Sequence, residues 1–176
     1  EGWHTDSTYT NEPPRFTMLY SIKTPEKGKG NTLFASQYRS YETLDNEMKE
    51  KLKSLKAVFS ADGPISKTRK NRVDEKGTGI DPKSLSAIHP IIKENERNKK
   101  KSLYLSPGHA IKICDLDEQE SKNLMQQLID HQTKDEFIYG FEWEPNCLAL
   151  WSNYAVLHNP VNDFNAHRVM HRITIQ

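Results

Sequence analysis

The chain has 176 residues, with 25 basic side chains against 24 acidic ones and a net charge of +1. That length holds one ordinary core, and charges so nearly cancelled exclude a global field that would steer nucleic acid or an anionic membrane. No apolar run approaches bilayer-spanning length and no signal-type region opens the chain. The two cysteines, Cys114 and Cys147, show neither a close pair nor zinc-type spacing, which fits a reducing cytoplasm.

Trp3-His4-Thr5-Asp6 comes almost at once, with no Met before it. A strand so near a terminus frays unless something pairs with it, so the sequence reads as the C-terminal part of a longer domain. Ser7 to Arg15, closed by Pro13-Pro14, reads as a loop, and Phe16 to Ile22 as a strand of alternating β-branched and aromatic residues. Pro25 to Asn31, with Gly28 and Gly30, is a turn, and Thr32 to Ala35 a short strand leading into two helical pieces. The second piece carries Met48, Leu52 and Leu55 at helical spacing.

Residues 60–84 are poor in apolar side chains, and a loop that long in a compact domain is expected to be a lid or disordered. Its basic run Lys67 to Arg72 has no interleaved aromatic residues for stacking on bases, so solvated surface is favoured over a nucleic-acid patch. Ala87 to Ile92 and Ser102 to Leu105 read as the arms of a hairpin. Asp117 with Glu120 forms a capping box opening a helix whose buried stripe is Leu124, Met125, Leu128 and Ile129. Phe137 to Trp143 and Cys147 to Trp151 follow as strands. Asn153 to His158 reads as a loop, with Val156 to Pro160 running into a strand end, and Arg168 to Ile175 as the last strand. Many short strands with helices inserted between them favour a single mainly β domain over residues 1–176, a double-sheet jelly roll with helical insertions. Ligands in such barrels sit in the mouth, where distant strands converge.

The chemistry concentrates at the two ends. On an extended segment His4 and Asp6 point to one side. With one more imidazole, for which His158 is the candidate, they make the facial 2-His-1-carboxylate set that leaves open positions on iron(II). Alone, His-X-Asp is a weak signal. In the last strand Arg168, Met170 and Arg172 share a face, opposite Val169, His171 and Ile173. If the strand ending at His158 pairs antiparallel with this one, His158 and the arginines face one cavity. Arginines aimed into a barrel need anionic partners, and a planar guanidinium matches carboxylate or sulfonate bidentately. A chelating diacid such as 2-oxoglutarate, its far carboxylate on Arg168, together with an acidic substrate, meets that need. A carboxylate at Asp6 favours hydroxylation over halogenation, which requires that ligand position vacant for halide. Of the other histidines, His89 is expected in the core or behind the metal site, His171 and His167 outside the pocket, and His109 and His131 at the surface. Trp143 and Trp151 are expected to pack in the core.

These residues, in this order, resemble the taurine dioxygenase and 2,4-dichlorophenoxyacetate dioxygenase (TauD/TfdA) family of iron(II)/2-oxoglutarate enzymes. The resemblance rests on Trp3-His4-Thr5-Asp6, Arg15 to Leu19, Gly28 to Phe34, Tyr41 to Leu44, His89 to Ile92, Ser102 to Tyr104, Glu120-Ser121, Leu150 to Asn153, His158 and Arg168 to Arg172. It implies a clavaminate synthase-like double-stranded β-helix and a cytoplasmic oxidoreductase using Fe(II), 2-oxoglutarate and O2. By the same resemblance His4, Asp6 and His158 are the catalytic metal ligands, and Thr32 and Arg168 bind the 5-carboxylate of 2-oxoglutarate. Ser7, through its backbone N–H, and Arg172 meet the acidic group of a small-molecule substrate. A homo-oligomer is compatible with it; nucleic acid and membrane are not expected partners. Three departures stand out: Trp151-Ser152-Asn153 where the family has Trp-Asp-Asn, Lys29-Gly30 where it has a glycine pair, and no counterpart of its N-terminal segment.

Overall fold

The computed structural model describes residues 2–66, 81 and 84–176. In chain order the described elements are β1 (Phe16–Lys23), β2 (Thr32–Ser36), α1 (Gln37–Glu42), α2 (Asn46–Leu52), β3 (Lys56–Ser60), β4 (Ser86–Pro90) and β5 (Ile92–Glu94). They continue with β6 (Lys101–Leu103), β7 (Ala110–Ile113), α3 (Glu118–Gln132), β8 (Ile138–Phe141), β9 (Leu148–Ser152), β10 (Val156–Pro160) and β11 (Val169–Ile175).

Two three-stranded antiparallel sheets, β11-β1-β9 and β10-β2-β8, face each other as the jelly roll. Phe34 of β2 and His158 of β10 meet Trp151 of β9 across the gap, at ring separations of 5.2 and 5.1 Å. The alternation in β1 decides which side is which. Thr17 and Ser21 are fully buried, while Tyr20 and Ile22 stand outward. Together with Leu148, Leu150, Ile173 and Ile175 these outward residues give the outer face of that sheet an apolar surface.

The inner space of the jelly roll is polar: His4, Asp6, Thr17, Thr32, Asn153 and His158 are all buried. The main apolar cluster lies instead under the helices. Leu52, Phe59, Ile91, Leu103, Leu105, Ile113, Leu124 and Leu128 pack between α3 and the sheet β4-β3-β7. Helix α3 forms where the capping box was expected: Asp117 accepts from the Glu120 N–H, and the Glu120 side chain accepts from the Asp117 N–H. Stability is thus supplied largely beside the polar cavity, which leaves the cavity lining open to chemistry.

Several expectations are corrected. His158 lies in the middle of β10 rather than in a loop, and β10 does not pair with β11. It pairs with β2, and β11 pairs with β1, so His158 and the closing arginines belong to opposing sheets. Strands β3 and β7, unmarked in the sequence, complete a further sheet. Of residues 60–84, expected to be a lid or disordered, only 60–66, 81 and 84 are described; there the Ala61 N–H donates to Leu85 O (3.0 Å) and the Ile65 N–H to Gly108 O (3.0 Å). The basic run lies outside the described residues. His131 is half-buried rather than at the surface, with Nε2 2.8 Å from the Ser40 carbonyl. His89 is buried, as expected, with Nε2 2.9 Å from the Thr10 carbonyl.

Candidate metal centre

The segment before Asp6 and strand β10 meet at one pair of residues. The His4 N–H donates to His158 O (3.0 Å) and the His158 N–H to His4 O (2.9 Å), an isolated antiparallel bridge. This bridge, rather than a full strand, extends the segment before Asp6, and the chain then turns. Ser7, directly after Asp6, has φ of +51°, a left-handed conformation that is unfavourable for a side-chain-bearing residue. The bend keeps the Asp6 carboxylate over the two imidazoles. His4 Nε2 and His158 Nε2 each lie 4.0 Å from Asp6 Oδ1, and the two rings are 4.2 Å apart. All three ligand atoms fall within 4.8 Å of one another.

The donor set suits a divalent transition metal, whose bonds to nitrogen and oxygen are about 2.1 Å long. The spacing leaves room for such an ion between the three atoms. His4 Nδ1 is 2.8 Å from the Gly2 carbonyl. A carbonyl only accepts, so Nδ1 carries the hydrogen and, in the neutral ring, Nε2 presents its lone pair. Burial pushes His158 down to about 3, reinforced by His4 and opposed by Asp6, so this imidazole is neutral at physiological pH. Burial alone would raise the Asp6 carboxyl. The His158 ring, the Arg172 guanidinium, the Thr17 hydroxyl and His4 outweigh it and hold Asp6 below its ordinary value, as a carboxylate.

Asp6 is anchored by a relay that sequence reasoning missed. Thr17 Oγ1 donates to Asp6 Oδ2 (2.7 Å), and Asn153 Nδ2 donates to Thr17 Oγ1 (2.9 Å) and to Pro14 O (3.1 Å). All three side chains are buried. Asp6 Oδ1 accepts no hydrogen bond among the described residues but lies 3.1 Å from Arg172 Nη2. Arg172, expected to face into the barrel, is 45% exposed, and its guanidinium supplies the positive charge beside that oxygen. Asn153 and Thr17 each lay in a run with a sequence signal, Trp-Ser-Asn and Arg15 to Leu19, but nothing in either run pointed to their contact.

His109 is corrected outright: expected at the surface, it is fully buried, its ring 6.1 Å from that of His4. Its Nδ1 is 2.9 Å from Thr8 Oγ1. The loop Ser106-Pro107-Gly108-His109 clasps the ligand segment: Ser106 Oγ accepts the Thr5 N–H (3.0 Å), and the Gly108 N–H donates to Trp3 O (3.1 Å). A Cβ on Gly108 would come within 3.0 Å of His4 Cβ. The small-residue run before His109 was its one trace in the sequence.

Deeper in the cavity, Trp143 Nε1 donates to Thr32 Oγ1 (2.9 Å), so the threonine hydroxyl keeps its own hydrogen for another acceptor. The Arg168 guanidinium carbon lies 5.9 Å from the Trp143 ring centre and 6.0 Å from that of Phe164. Trp143 packs in the core as expected, and also touches both side chains expected to take the carboxylate. His171 and His167 are exposed, away from the cluster.

The model of the taurine catabolism dioxygenase TauD, TfdA family matches residues 1–174. The chain belongs to this family. A Saccharomyces cerevisiae relative in it, an alpha-ketoglutarate-dependent sulfonate dioxygenase, is 31% identical over 99% of this chain and 42% of its own length. Pentalenolactone F synthase of Streptomyces arenae is 29% identical over 89% of this chain and 55% of its own. The crystal structure of AAD-2 in complex with Mn(II) and N-oxalylglycine superposes with a TM-score of 0.82 at 29% identity, covering 99% of this chain and 68% of that one. The chain therefore spans about half the length of the curated relatives it matches.

Proposed function

We propose that the chain carries the metal- and cosubstrate-binding part of an iron(II)- and 2-oxoglutarate-dependent dioxygenase. The reaction hydroxylates a small acidic substrate, a sulfonate, sulfate ester or aryloxy/alkyloxy carboxylate, and releases succinate and CO2. The observation that carries this reading is the convergence of His4, Asp6 and His158 on one point within 4.8 Å. Iron held there supplies the redox chemistry that couples decarboxylation of 2-oxoglutarate to hydroxylation.

The chain's own residues divide the remaining work. His4 and His158 offer Nε2, and Asp6, held by Thr17, offers the charge. Thr32 and Arg168 take the 5-carboxylate of 2-oxoglutarate, the hydroxyl donating and the guanidinium pairing. Arg172 faces the same oxygen of Asp6 that an ion would use. With an ion held there, the half-exposed guanidinium would be available to the acidic group of the substrate, with the Ser7 N–H beside it. The reading places the protein in a reducing, cytoplasmic setting, where its two free cysteines stay as thiols.

The decisive experiment is formation of succinate from 2-oxoglutarate by the iron-loaded protein, stimulated by an added sulfonate or sulfate ester. A folded, iron-loaded protein that forms none with any acid would leave a non-catalytic jelly-roll module as the reading. A second substrate class, a biosynthetic intermediate, is favoured by the likeness to pentalenolactone F synthase. Arg172→Ala separates the two. For an acidic substrate KM is expected to rise about 10- to 100-fold, in line with loss of a charged hydrogen bond. For an uncharged intermediate KM should hardly move.

Trp143→Phe tests the cosubstrate end. It keeps an aromatic ring beside Arg168 and removes the N–H that orients Thr32. KM for 2-oxoglutarate is expected to rise about 5- to 10-fold, equivalent to a net hydrogen bond of about 1 kcal/mol, with metal affinity unchanged.

A further inference from the structure

The connection from β10 to β11 is fastened by a clasp of its own. Residues 161–168 carry the chain from one sheet to the opposing one without helix or strand. At their start they meet the turn between β1 and β2. The Val161 N–H donates to Asn31 O (2.9 Å), and Asp163 Oδ1 accepts the Gly30 N–H (2.8 Å). Lys29 Nζ stands 3.6 Å from Asp163 Oδ2.

Gly30 is what lets the two segments come so close. Its φ of +67° is a left-handed conformation that glycine adopts without strain. A Cβ there would stand 3.1 Å from Cδ1 and Cε1 of Phe164 and 3.0 Å from Pro25 Cγ, so the Phe164 ring lies directly against the glycine. The centre of that ring is 6.0 Å from the Arg168 guanidinium carbon, which Trp143 flanks at 5.9 Å. Trp143 in turn donates to Thr32 Oγ1, two residues after Gly30. The contacts close a circuit from Gly30 through Phe164, Arg168 and Trp143 to Thr32. The Lys29–Asp163 pair is solvent-screened and contributes little to it. The bond from the Gly30 N–H to a carboxylate is charge-assisted and is the stronger link.

We propose that Asp163 is a positioning residue for the cosubstrate: it latches residues 161–168 to the β1–β2 turn, so that Arg168 is already aligned when 2-oxoglutarate arrives. The proposal rests on the reading of Thr32 and Arg168 as the carboxylate site. A guanidinium at the end of an unanchored connection has to be ordered at the moment of binding, and that entropy cost lowers affinity. Asp163 acts through Phe164 and Arg168 and needs no contact with the ligand.

The test titrates 2-oxoglutarate into the Mn(II)-loaded full chain by calorimetry and follows amide exchange at Gly30 in the metal-free protein. Asp163→Ala is expected to speed that exchange and to weaken 2-oxoglutarate binding about 5- to 10-fold, the size of one net hydrogen bond, with Mn(II) affinity unchanged. Asp163→Asn keeps an oxygen for the Gly30 N–H and should restore most of the affinity. Lys29→Ala, which loses only the ion pair, should cost less than about twofold. An Asp163→Ala protein that binds 2-oxoglutarate as the wild type does overturns the proposal, most plainly if Gly30 exchanges faster, since the latch would then be broken without consequence. An Asp163→Asn protein as weak as Asp163→Ala overturns it too, because charge rather than the backbone bond would then be at work. A wild-type protein that holds Mn(II) but takes up no 2-oxoglutarate would instead remove the reading of Thr32 and Arg168, and the proposal with it.

Discussion

Asp6→Asn is expected to weaken binding of Fe(II) or Mn(II) by more than about 100-fold, beyond the 10- to 100-fold loss typical of residues that merely support a ligand. Substrate-stimulated succinate formation should fall to background with it. The substitution keeps the shape of the side chain, and an amide oxygen still accepts the Thr17 hydroxyl. What disappears is the negative charge that faces both imidazoles and Arg172. The folded protein should persist, because the main apolar cluster lies under α3 and not in the polar cavity. Manganese titration followed by electron paramagnetic resonance checks the affinity, and thermal unfolding checks the fold. A folded variant that binds manganese as the wild type does would remove the metal centre from this cluster.

Gly63→Ala is expected to disturb the same centre from behind. A Cβ there would stand 2.9 Å from both Cα and O of His109 and 3.0 Å from Gly108 O, all backbone atoms that cannot rotate away. The wedge must push the Ser106–His109 loop, which holds Trp3 through the Gly108 N–H and Thr5 through the Ser106 hydroxyl and packs on His4. Overpacking of this kind costs about 1–3 kcal/mol, a fall of roughly 2–12 °C in Tm for a chain of this size. Metal affinity should drop about tenfold as His4 is displaced. Gly140→Ala is the control, since its Cβ would meet only Leu33 at an ordinary 3.6 Å. A Gly63→Ala protein with unchanged metal affinity would separate the loop from the ligand it touches.

The clustering of His4, Asp6 and His158 was legible because His-X-Asp brings two metal-capable side chains together by local geometry, and the run from Arg168 to Arg172 names a companion chemistry. Its surroundings were not legible, because they are made by contacts between residues more than a hundred positions apart. Thr17 meets Asn153, and Thr8 meets His109, and neither pair leaves a periodic trace. The strand pattern was read well where alternation ran long, as in β1. It failed for β7, whose four residues Ala110-Ile111-Lys112-Ile113 are too short to show a period, and for β3, which follows directly on the apolar stripe of α2. Strands β10 and β11 are neighbours in sequence but not in a sheet, because a jelly roll sends them to opposite walls, so proximity in the chain points to the wrong pairing.

The reciprocal bond between His4 and His158 has a kinetic consequence. Those residues are among the most widely separated contacts in the chain, and closing so long a loop is entropically costly and late in folding. A metal held by the proposed trio could therefore bind only after these distant segments have been brought together, so a half-folded chain should be unable to load iron. A bound ion would act as a removable clasp between them, and stripping it with a chelator should speed local opening there before the helical core is touched.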